Sequence, residues 1–139
     1  MDGPGLRGRA FTMTALVWRA AFIVLALAIT LLSLVPPALR PSTAVSHQTE
    51  HLLIFALTGV AIGFGFRWRR LAQFAALALF AVAIETAQLF VPGRHARLSD
   101  LAVNILGAAI GIGVAHLARR INSPGPRRAA MPATDQAPR

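Results

Sequence analysis

Residues 20–39 contain no charged side chain, and three further apolar runs follow before the chain ends at residue 139. A helix rises about 1.5 Å per residue and the hydrocarbon core of a bilayer is about 30 Å thick, so runs of this kind are suited to crossing it. They predict spans over 15–35, from 47 or 51 to 66, over 71–91 and over 100–117. Pro36-Pro37 closes the first and Pro92-Gly93 the third. The short loop after the third makes the last two segments antiparallel neighbours. The expected fold is an all-α integral membrane protein, an antiparallel four-transmembrane-helix bundle over 14–121 between disordered cytoplasmic ends at 1–13 and 122–139. Arg7 and Arg9 precede the first run and Ser42-Thr43-Ala44 resembles a cleavage site, but its uncharged stretch exceeds a signal peptide's apolar core of about 7–15 residues. It reads as a retained helix.

Composition agrees: 55% of residues are hydrophobic and 14% charged, a balance unlike that of a soluble globule. With no cysteine, neither a disulfide framework nor a thiolate metal site can form. The net charge of +9 sits at the ends of apolar runs rather than in a patch, which argues against nucleic acid as a partner. Arg7, Arg9, Arg19, Arg67, Arg69, Arg70, Arg119, Arg120, Arg127, Arg128 and Arg139 fall on one side of the expected bundle. Arg40, Arg94 and Arg97 fall on the other, so the positive-inside bias predicts both termini in the cytoplasm. Trp18 and Trp68, beside inner-side arginines, fit interfacial anchors.

Against this background the polar residues of the second to fourth segments need an explanation. An ionised Asp at mid-helix costs roughly 3 kcal/mol on insertion scales. Glu85 and Gln88 share a helical stripe with Ala78 and Ala81, and Asp100 and Asn104 share one with Gly107 and Gly111. With Gly59 and Gly63 on the second segment, these glycines mark packing faces. The polar groups should therefore meet near the outer ends of three helices, beneath Arg94 and Arg97, with Ser99 capping the fourth helix. The arginines could neutralise Glu85 and Asp100 or hold an anionic headgroup.

Glu85-x-x-Gln88, Pro92-Gly93-Arg94, Arg97, Ser99-Asp100-Leu101, Asn104 and Gly107, with His51 and Phe55 before them, resemble the signature of the VanZ-like family of small membrane proteins. The likeness covers about 47–111. It implies a multi-pass protein of the bacterial inner membrane, and the founding member's association with teicoplanin resistance implies a link to glycopeptide susceptibility. The family commonly reads Asp-Lys-x-x-His where this chain has His47-Gln48-Thr49-Glu50-His51.

Three functional readings follow. In the first, an outward-facing site binds, or acts on, an anionic envelope lipid or lipid-linked cell-wall intermediate: Glu85 and His51 are the candidate catalytic pair, Glu85 as acid or base, and Gln88, Arg94, Arg97, Asp100 and Asn104 bind. In the second, the polar residues only clamp the helices together. In the third, H-x-x-E-H spells a zinc hydrolase site with His47 and His51 as ligands and a third from Glu85 or Asp100. The first two need no cofactor. His95 and His116 read as loop and interfacial side chains, and a transporter finds no inverted repeat, short of a homo-oligomer supplying one. Metal analysis of purified protein tests the third reading, which requires stoichiometric zinc.

Overall fold

The computed structural model describes residues 4–36, 46–93 and 97–122, within which every regular element is an α-helix. Helix α1 is Pro4–Leu34, α2 is His47–Gly65, α3 is Arg70–Gln88 and α4 is Leu98–Ile121. Met13–Leu34, Arg70–Gln88 and Leu98–Ile121 are long and apolar enough to cross a membrane. α2 is not, which differs from the expectation of four such segments. Its first turn holds His47, Gln48, Glu50 and His51, and these dilute a helix of only 19 residues. Packing accounts for the tolerance: α2 touches all three other helices, so protein covers much of its surface. α1 is the opposite case, leaning on α2 and α3 and leaving Met13, Leu16, Val24, Leu27 and Leu31 exposed.

The helix ends depart from the expected bounds for local reasons. α1 starts at Pro4, so the backbone of 4–13, expected to lack order, is helical; proline suits the first turn because it has no N–H to leave unbonded. α3 ends at Gln88 instead of 91. Leu89, Phe90 and Val91 then donate to the carbonyls three residues back, a tighter turn that satisfies the last carbonyls before Pro92. Gly93 follows at φ 77°, a left-handed conformation that favours glycine. α4 begins at Leu98 with Arg97 as its N-cap residue, and Ser99 lies inside the first turn. Ser99 is therefore not the cap; its Oγ donates to Asp100 Oδ1 at 3.2 Å. Residues 123–139, expected to form the disordered tail, lie outside the described residues, as do Arg40, Arg94 and His95.

The most extensive contact joins α2 and α4. Partners ascend together along both, from His51 with Asn104 to Phe64 with Arg119, so the two helices run side by side in the same direction. α3 descends against α4, with Glu85 near Asn104 at one end and Gln73 near His116 at the other. A Cβ placed on Gly59 would stand 2.6 Å from the Ala108 carbonyl oxygen, and one on Gly111 would collide with the backbone of Ala56. Glycine thus lets the two backbones touch, which matters where lipid supplies no hydrophobic expulsion to drive helices together. Phe55, Ile62, Leu77, Ile84 and Ile112 fill the space beside this seam.

Glycines of one helix therefore differ in role. Gly111→Ala should lower thermal stability in detergent by about 1–3 kcal/mol through overpacking. Gly113 faces open space, so Gly113→Ala should be neutral or stabilising by up to about 1 kcal/mol from helix propensity. Thermal unfolding of both variants checks the pair.

Candidate polar site among three helices

The α2–α4 seam continues outward from glycine into polar side chains. One turn inside the start of α2 stands His51, and near the start of α4 stands Asn104, wholly buried. His51 Nδ1 and Asn104 Oδ1 are 2.9 Å apart, and Asn104 Nδ2 donates to Glu85 Oε1 on α3 at 3.3 Å. Two hydrogen bonds thus link three helices through one amide. Glu85 keeps only 5% of its surface exposed, so its polar contacts must come from protein groups or a bound species rather than bulk water. Gln88, one turn further along the same face, is 3% exposed and its Nε2 is buried with no hydrogen-bond partner among the described residues.

Asp100 is buried in the same region but turned elsewhere. His47 Nε2 lies 3.7 Å from its Oδ2, and the His47 ring meets the His51 ring edge to face with centroids 4.3 Å apart. The structure therefore brings together Glu85, Asn104 and His51 as expected and adds His47 beside Asp100. It does not place Arg97 over the carboxylates. Arg97 precedes the first helical residue of α4 and is exposed, whereas Asp100 lies inside the first turn. Arg94 is outside the described residues. Among those residues no group of three His, Asp or Glu stands where it could hold a metal ion, so the third ligand of the zinc reading is not gathered.

A second polar network, at the other end of the bundle, escaped the sequence reading. His116, expected to be an interfacial side chain, sits with Nε2 3.1 Å from Gln73 Oε1. The Gln73 amide in turn donates to the Phe66 carbonyl at 3.1 Å. Arg19 Nε donates to the Gly65 carbonyl at 2.9 Å and Arg119 Nη2 to the Phe64 carbonyl at 2.7 Å. Side chains from α1, α3 and α4 thus converge on the carbonyls at the end of α2, which have no helical partner of their own. The available signal is Gln73, the one polar residue between Arg70 and Glu85 in α3, close after arginines whose role as membrane anchors is a sufficient explanation.

Over residues 16–119 the sequence matches the VanZ/LLP1 family. The chain belongs to that family. Comparison with curated proteins gives no match, and neither does comparison with solved structures. With its three apolar spans, this VanZ/LLP1 chain is a membrane protein. The matched region takes in both polar networks, so neither is an appendage outside the family's domain.

Asn104 is the shared member of the three-helix chain. Asn104→Ala removes two hydrogen bonds and leaves two buried polar partners, so it should cost about 1–3 kcal/mol. Thermal unfolding in detergent reads the loss.

Proposed function

We propose that this protein is a multi-pass component of the bacterial cell envelope, in the inner membrane, with both termini cytoplasmic. The four helices cross as an antiparallel bundle, α2 passing under the cover of the other three. Its outward-facing polar site binds, or acts on, an anionic envelope lipid or lipid-linked cell-wall intermediate and so affects glycopeptide susceptibility. The observation that carries this reading is the buried chain His51, Asn104 and Glu85, drawn from three helices and extended by the Gln88 amide. In a bundle, ionisable groups at such depth mark functional sites by default.

The roles follow from the chemistry. Glu85 is the candidate acid or base and His51 its catalytic companion; Gln88, Asp100 and Asn104 shape the ligand's polar end. Arg97, exposed at the head of α4, and Arg94, three residues before it in sequence, supply the cations that a phosphate requires. The competing reading, a clamp, draws on Asn104, which is bonded on both sides and wholly buried. Gln88 separates the two readings: a clamp gains nothing from a buried amide nitrogen without a partner.

Two experiments test the proposal. Native mass spectrometry of wild type, Glu85→Gln and Arg94→Ala should find an anionic lipid bound to the wild type and bound at least tenfold less by each variant, with melting temperatures unchanged. Variants that unfold instead would support the clamp. For the orientation, the absence of native cysteine is convenient. Ser42→Cys should react with a membrane-impermeant maleimide in intact cells and Ser123→Cys only after lysis; the reverse pattern refutes cytoplasmic termini.

A further inference from the structure

Hydrogen-bond arithmetic at the polar site leaves one nitrogen on His51 and one on Gln88 unused. Asn104 turns its Nδ2 donor to Glu85 and so presents Oδ1 to His51. A carbonyl oxygen cannot donate, which puts the proton of that bond on His51 Nδ1. In the neutral ring Nε2 is then an acceptor, and it makes no hydrogen bond to any described residue. Gln88 supplies the complement: its Nε2 is a donor, is buried, and has no partner among the described residues. Gln88 lies three residues after Glu85 on the buried face of α3, and His51 is joined to Glu85 through Asn104. The acceptor and the donor therefore belong to two neighbours of Glu85, one joined to it through Asn104 and the other one turn along its own helix.

We propose that these two nitrogens take a hydroxyl group of the ligand, so that the headgroup entering the site is a polyol, glycerol or sugar, carried on a phosphodiester. The hydroxyl donates its hydrogen to His51 Nε2, and its oxygen accepts from Gln88 Nε2. A phosphate oxygen would offer His51 nothing to accept and would bring negative charge toward Glu85. An ammonium headgroup would leave Gln88 without an acceptor. A single hydroxyl satisfies both nitrogens and carries no charge into a buried acidic region. This inference rests on the reading of the outward-facing site as a lipid site.

The test uses the full-length protein in nanodiscs and two lipids of equal charge. Phosphatidylglycerol carries hydroxyls beyond its phosphodiester; phosphatidylmethanol carries none. Phosphatidylglycerol should bind about tenfold more tightly, the worth of one or two net hydrogen bonds. Gln88→Leu should abolish the preference while the protein melts at the same temperature or higher, since it removes a buried donor that had no partner. Nitrogen-15 spectra of labelled His51 should place its proton on Nδ1. Equal binding of both lipids would overturn the hydroxyl assignment and leave the lipid reading standing, and failure of both lipids to bind would overturn both. A preference that survives Gln88→Leu, or a proton found on His51 Nε2, would also overturn the assignment.

Discussion

The contact between the backbones of α2 and α4 sets the geometry of everything around it. Gly59 faces the Ala108 carbonyl, Gly107 the Leu52 carbonyl and Gly111 the backbone of Ala56, and none of these places has room for a Cβ. Such a seam has little freedom to slide, because a side chain would have to enter a space that holds only backbone. With the register fixed, His51 and Asn104 arrive opposite one another as a continuation of the same stripe, at a separation suited to a hydrogen bond. The polar site is thus an outgrowth of the packing, using the rigidity of the apolar seam to position an amide.

α3 is held in a different way. Its contact with α4 is more limited than that of α2, and its contact with α2 is smaller still. Polar bonds fasten it near both ends: Glu85 accepts from Asn104, and Gln73 joins His116 while donating to the end of α2. Leu77, Ala81 and Ile84 lie buried between these fastenings. In hydrocarbon such bonds contribute typically about 0.6 kcal/mol each, so they direct orientation more than they supply strength. Rotation of α3 would break both networks together, which links the three-helix polar site to the arginine-rich end.

Much of this arrangement is legible in the sequence, for identifiable reasons. Glycines at intervals of four, continued by Asp100 and Asn104, define one face of α4 whatever the tertiary partner, and Glu85 with Gln88 defines one of α3. The convergence of Glu85, Asn104 and His51 follows once those faces are packed. Individual pairings do not follow: Asp100 turns to His47 and not to Arg97 because Arg97 falls just before the first helical turn, a distinction of one or two residues that sequence signals do not resolve. The second segment reads as an apolar span although its first turn is polar, since a run of Leu, Ile and Phe gives no sign that neighbouring helices shield that turn. Gln73 and His116 lie 43 residues apart, and nothing short of the fold brings them together.

The parallel course of α2 and α4 has an electrostatic consequence. Both helices begin at the polar site, so the partial positive charges of their first turns, each roughly half an elementary charge, add at one surface instead of cancelling as in an alternating pair. Glu50 and Asp100 occupy those first turns, where that field favours carboxylates. At the opposite pole Arg19 and Arg119 rest on the carbonyls that end α2. The fold itself therefore makes this end of the bundle hospitable to negative charge, even before any arginine side chain takes part.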